Sequence, residues 1–190
     1  MVLSERARFD VAVRLRTPDG LPLGDLFTFL SGLYFRGKLA YARAFAPDPA
    51  DVLVIVPGAG LVVPETPVTL AAMHAIAAIG VDPANAAFRE PLARSARALA
   101  RTLGAEDDVV LLGSIASAKY VDVLGDAFGA RLRFPSDFVG RGDMSRGGLL
   151  LRCVRAGSEL AYAPVAGTVR RGRRPPRLAP LPRRTAGTAR

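Results

Sequence analysis

Two short apolar runs stand out from an otherwise mixed pattern. Residues 51–57 (DVLVIVP) and 108–113 (DVVLLG) are β-branched and almost wholly apolar. That is how a strand covered on both faces of a parallel sheet reads. Residues 9–16 (FDVAVRLR) alternate apolar and polar positions, the period of a half-buried strand. Between Leu26 and Phe45 the apolar residues Leu26, Phe29, Leu30, Leu33, Tyr34, Leu39, Tyr41 and Phe45 follow helical spacing. Gly32 and Gly37 each cost that helix about 1 kcal/mol against alanine, so the pattern predicts either one helix or one broken near YFRG.

Further along, Thr69 is placed to cap a helix over TLAAMHAIAAIG, which Gly80 stops. Residues 85–103 predict a longer helix, with one stripe of Leu92, Ala96, Leu99, Ala100 and Leu103 and another of Arg94, Arg97 and Arg101. Ser114 is positioned to cap the helix that carries Tyr120, Val121, Val123 and Leu124. Residues 131–134 read as a third strand entering the loop PSDFVGRGDMSRGG, 149–154 as a helix and 160–165 as extended. This succession predicts a single α/β domain over residues 8–166, three-layered, with a largely parallel, Rossmann-like sheet. From Gly167 the chain is rich in Pro and Arg with almost no apolar anchors, so 167–190 is expected to be a disordered basic tail.

Charge sharpens that division. Residues 1–159 hold all 17 acidic residues and 18 of the 26 Lys plus Arg, a body charge of about +1. Residues 160–190 hold eight Arg and no acid, so the pI of 10.9 belongs largely to the tail. Arg outnumbers Lys 24 to 2, the composition expected of a GC-rich bacterial genome. No window reaches the ~18–20 apolar residues of a membrane span. The start, MVLSERARFDVAVRLR, scatters charge where a signal peptide carries an apolar block. With the lone Cys153, this leads to the expectation of a cytoplasmic protein without a disulfide or a membrane partner. The lone His74 sits in an apolar helix as an expected neutral histidine, and no metal site is expected.

Candidate chemistry lies in three segments that follow predicted strands, where helix N-termini would present free N–H groups. The first holds Gly113, Ser114, Ser117 and Lys119, a backbone approach point followed by oxyanion donors and a cation. It has neither Walker spacing nor the dinucleotide Gly-x-Gly-x-x-Gly pattern. The second holds Gly58 and Gly60, with Glu65 its only carboxylate, able to orient a hydroxyl or act as a base. The third holds Arg141, Asp143 and Arg146 among four glycines, two guanidiniums suited to phosphate. In a parallel sheet these segments share one edge, so a cleft lined by Gly58, Gly60, Ser114, Ser117, Lys119, Arg141 and Arg146 is expected. Tyr34 and Phe35, beside Lys38, read either as a base-stacking edge or as a half-buried helix edge.

Taken together, the stretches LSGLYFRGKLAYARAFA, VLVIVPGAGLVVPETPVTL, VVLLGSIASAKYVDVLGDAF and RLRFPSDFVGRGDMSRGGLLL resemble an uncharacterised bacterial family of small Rossmann-like α/β proteins. More distantly they are similar to the domain of unknown function found beside archaeosine-synthase-type tRNA-modification proteins, in a uracil-DNA-glycosylase-like grouping. The resemblance rests on Gly60, Leu61 and Pro64, on Gly113 with Lys119 and Tyr120, and on the late Pro…Gly loop, and it spans about residues 26–152. The chain lacks the Cys-Ser-x-x-Lys start and the histidine loop of such relatives, so the resemblance implies the fold and not glycosylase activity. Two functions are expected. One is a nucleic-acid- or nucleotide-binding protein, an accessory to nucleic-acid modification or repair, using Gly113 and the 140–148 loop on phosphates. The alternative is a small-molecule enzyme acting on a nucleotide or sugar phosphate, with Glu65 or Asp143 as its acid or base. No particular cofactor is indicated.

Overall fold

The computed structural model describes residues 2–4, 6–115 and 118–178. In chain order the elements are α1 (Asp10–Arg14), β1 (Leu21–Pro22), α2 (Leu23–Phe45), β2 (Val54–Val56), β3 (Gly60–Val62), β4 (Pro67–Val68), α3 (Leu70–Ala77), α4 (Ala86–Thr102), β5 (Val109–Val110), α5 (Ala118–Phe128), β6 (Leu132–Pro135), α6 (Asp143–Ala156) and β7 (Tyr162–Pro164). Helix far outweighs strand. The strands form three small sheets: β1–β4 and β2–β3, both antiparallel, and β5–β6–β7, parallel then antiparallel. No described helix is long and apolar enough to cross a membrane.

The expected three-layer, largely parallel Rossmann-like sheet is therefore corrected. Only β5–α5–β6 has the predicted strand–helix–parallel-strand form, with Val109 opposite Leu132 and Val110 opposite Arg133. The error traces to 51–57. Its all-apolar character does come from burial on both faces, but two separate cores supply the cover. Val54 and Val56 face one cluster with Ala12, Leu15, Leu21, Leu23, Leu26 and Val68, while Ile55 packs against the larger cluster built on Phe88, Leu92, Phe134, Phe138 and Leu150. Alternate residues of a strand point to opposite faces, so one three-residue strand serves both cores. Its partner is the next strand, reached through Pro57, Gly58 and Ala59, with Val54 opposite Val62 and Val56 opposite Gly60. A hairpin, not a crossover, follows the apolar run.

Residues 9–16 are also corrected, from strand to helix. Ala12 and Leu15 are buried while Val13 is half exposed, so the three-residue spacing of Ala12 and Leu15 decided the conformation over the alternation. The long predicted helix exists as α2 and is broken, at Gly32 (φ 62°, ψ −139°), one of the two glycines that weakened it. A positive φ of this kind is open to glycine at little cost. Of the two predicted N-caps, Thr69 is found, accepting from the N–H of Ala72, whereas α5 begins at Ala118, four residues beyond Ser114. Asn85 accepts from the N–H of Ala87 at the start of α4, a cap the sequence reading did not name.

The Gly-rich loop before 149 is corrected most. Helix α6 starts at Asp143, so Gly147 and Gly148 are helical. Gly147 is there because α6 crosses α2 at backbone contact. A Cβ on Gly37 would lie 2.7 Å from the carbonyl oxygen of Gly147, and one on Gly147 would lie 2.8 Å from that of Leu33 and from Cα of Tyr34. Two ties hold α2 to the C-terminal sheet beyond this crossing. The Tyr41 hydroxyl accepts from the N–H of Leu160 at 2.8 Å, and it pairs at 2.8 Å with the Tyr162 hydroxyl, which donates to Glu159.

The described part of the basic segment, as far as Leu178, has no helix or strand beyond β7. It nonetheless lies against the body. Arg170 Nη1 reaches the carbonyl of Ile115 at 3.5 Å, Gly172 packs on Val139, and the backbone of Arg173 crosses directly over Gly140 (φ 72°). The rest of the predicted tail, 179–190, lies outside the described residues.

The crossing of α2 and α6 yields a paired prediction. Gly147→Ala is expected to cost roughly 1–3 kcal/mol through overpacking against α2. Gly148→Ala, whose new methyl would meet only Leu178 Cδ1 at 3.6 Å, is expected to stabilise by about 1 kcal/mol through helix propensity. Urea unfolding midpoints at unchanged slope measure both. Equal effects of the same sign would contradict the crossing.

Candidate functional site

The carboxyl ends of the two parallel strands β5 and β6 carry the only part of the predicted edge that forms. Beyond β5 the chain passes Leu111, Leu112 and Gly113. Beyond β6 it makes a 3₁₀ turn at Ser136–Phe138, then Val139 to Gly142, and enters α6. Tyr34 of α2 joins the two loops. Its hydroxyl donates to the carbonyls of Leu112 at 2.9 Å and Gly113 at 3.2 Å. Its ring meets Phe138 edge to face, with centroids 6.5 Å apart.

Arg146 is the one buried charged side chain among the described residues, at 6% exposure. Its Nε and Nη2 donate to the carbonyl of Phe138 at 3.3 and 3.0 Å, and Nη1 lies 3.5 Å from Asp143 Oδ1. The guanidinium also sits over the Phe138 ring at 5.3 Å. A buried cation needs such partners, since desolvation without them costs several kcal/mol. Arg146 is thus committed inward, to the turn it follows. Burial pushes the Tyr34 hydroxyl up to about 12, although the charge and hydrogen bond of Arg146 pull it down. Lys38, one helical turn on, lies 4.5 Å from the Tyr34 ring centroid and 5.3 Å from that of Phe35. Burial lowers its pKa from the ordinary lysine value, and the Asp143 carboxylate opposes that shift.

The structure brings together Gly113, Asp143 and Arg146, through Tyr34 and Phe138, with Arg141 at the edge of the group. Arg141 Nε donates to the carbonyl of Asp137 at 2.9 Å and Nη1 to Ser145 Oγ at 3.4 Å, and no ion pair among the described residues uses its charge. Ser114 is half-buried between Gly113 and the fully buried Ile115. Lys119 lies in the first turn of α5, over the Tyr120 ring at 5.0 Å. Ser117 lies outside the described residues.

Other predicted residues are placed elsewhere. A Cβ on Gly58 would strike Ile79, and one on Gly60 would strike Ser95 and Pro91 of α4, so both glycines allow the hairpin to close on its neighbours. Leu61 N–H donates to Ser95 Oγ at 3.0 Å beside that contact. Glu65 is exposed and pairs with Arg43 at 2.8 Å, and that hydrogen bond holds its carboxyl below the ordinary range. His74 lies in α3, exposed to solvent rather than partly buried as expected. Sequence reasoning did not anticipate Arg170 and the backbone of Arg173 on the Ile115 and Gly140 loops. Gly140 and Gly172 were the available signal, because paired glycines on two segments allow close backbone approach. Among the described residues no group of three or more potential metal ligands comes together.

No family model matches the chain, and no curated protein or solved structure does either.

All four tyrosines are held above the ordinary phenol value of 10.0, in each case chiefly by burial. The folded state therefore favours the protonated phenols. Their contribution to stability is complete below pH 10 and is lost as pH rises through the folded values. An alkaline absorbance titration of the native protein should give no phenolate step at pH 10, while the same chain in guanidinium should give all four there. A native step at pH 10 would show that at least one of these hydroxyls is open to water.

Proposed function

We propose that the protein is a nucleic-acid- or nucleotide-binding protein of the cytoplasm, and that it takes phosphate along the edge formed by the 113–115 loop, the 136–142 turn and the segment 167–178. The observation that carries this reading is the seat of the basic segment. Arg170 reaches Ile115, and the backbone of Arg173 lies over Gly140, next to Arg141. No ion pair among the described residues uses Arg141, Arg170 or Arg173. Asp122 and Asp126 line the same depression as Arg170, but guanidiniums that form no ion pair in the described structure still attract an anion that can meet several of them together. Phosphates along a strand do so. The resemblance to a domain found beside tRNA-modification proteins supports the same ligand class.

The two carboxylates that an acid–base mechanism would need favour binding over catalysis. Glu65 is exposed and held by Arg43, and Asp143 is paired with the buried Arg146. Neither faces the other across an enclosed site. The 360 Å³ depression beside α5 is lined instead by Asp122, Asp126, Gly167 and Arg170 among others.

Fluorescence anisotropy of a labelled duplex, followed as a function of salt with the full chain, tests the reading. Replacing Arg170, Arg173 and Arg174 together by Gln should flatten the slope of log K against log salt by about 3, since each phosphate contact contributes roughly 0.9. An unchanged slope would remove the segment from the binding surface. A mononucleotide that binds while no polymer does would replace the polymer as ligand.

A further inference from the structure

The second basic feature of the molecule lies on a different element. Helix α4 buries Phe88, Leu92 and Ala96 against the larger core. On the opposite side it presents Arg94, Arg97 and Arg101, all exposed. Spaced three and then four residues apart, they form a row about 10 Å long on the helical rise. Like charges at these spacings repel and weaken an isolated helix. Glu90 continues the row, yet no ion pair among the described residues uses Glu90, Arg94, Arg97 or Arg101. Beyond the row, Arg131 closes the same end of the helix, donating to the carbonyls of Ala100 and Gly104 at 3.1 and 3.0 Å. A 280 Å³ groove between α4 and α5 adds Arg89 beside Arg94 and Arg97, with Glu90 and Asp126 in the same lining, three guanidiniums to two carboxylates.

We infer that the Arg94, Arg97 and Arg101 row is a contact surface for the sugar–phosphate backbone of a nucleic acid. It rests on the reading that the protein binds such a polymer, and adds a surface separate from the segment seated on Ile115 and Gly140. Charge complementarity selects the occupant. A regular line of guanidiniums meets a regular line of phosphates, each fork able to bond two oxygens of one phosphate. A protein interface of comparable strength has an apolar or aromatic centre. This face has none, as the exposed residue between Arg97 and Arg101 on the outer side is Ala98.

Arginine footprinting of the full chain tests the surface residue by residue. Phenylglyoxal modification, read by mass spectrometry, is compared with and without a short duplex at low salt. Protection of Arg94, Arg97 and Arg101 that disappears at high salt is the expected result. Protection confined to Arg141, Arg170 and Arg173 would overturn this inference and leave the seated segment as the whole interface. Protection of no arginine would overturn both readings. Protection of the α4 row by polyglutamate but not by the duplex would also overturn it, in favour of an acidic protein. The full chain carrying Arg94→Gln, Arg97→Gln and Arg101→Gln, which keeps good helix formers, should bind the duplex with a salt slope reduced by about 3. An unchanged slope would again overturn the inference.

Discussion

The backbone contact between Gly37 and Gly147 is the constraint on which the rest of the structure depends. It sets how closely α2 approaches α6, and only two residues without side chains permit that approach. With the helices so close, the Tyr34 hydroxyl reaches the end of β5 and the Arg146 guanidinium folds back beneath the turn after β6. Those two side chains fix both loops that leave the parallel strands. Glycine costs a helix about 1 kcal/mol, so the interhelical contact has to return at least that much in packing.

The same argument separates what could be read in the sequence from what could not. The positions of most central and C-terminal elements were legible, because a cap such as Thr69 and stops such as Gly80 act locally. The pairing of strands was not. The run 51–57 is apolar for a nonlocal reason, since two cores press on it from opposite sides, and composition cannot distinguish that from a parallel sheet with helices on both faces. Glycines misled in a consistent way. Gly147 and Gly148 read as loop residues, but both are helical, and the requirement for glycine at 147 is set by a helix more than a hundred residues earlier.

The site was legible in part for related reasons. Strand ends followed by Gly113 and by the Arg141 to Arg146 stretch do lie side by side, because β5–α5–β6 is a genuine parallel unit. Arg146, however, looked like a ligand residue and turned out to hold Phe138. Burial decides which of two arginines faces outward, and burial depends on the partner helix. Gly58 and Gly60 followed a strand as expected, yet that strand belongs to a hairpin pressed on α4.

The closeness of α2 and α6 also bears on how the chain is made. They share the most extensive contact of any two elements, but some hundred residues separate them. Closing so long a loop delays contacts of this kind relative to local helix formation. On a ribosome, α2 emerges early and waits with its Gly37 face and the Tyr34 and Tyr41 rings uncovered until α6 has been synthesised. The first half of the chain thus passes through an interval in which its principal partner does not yet exist, the period when nascent chains are most exposed to misassembly.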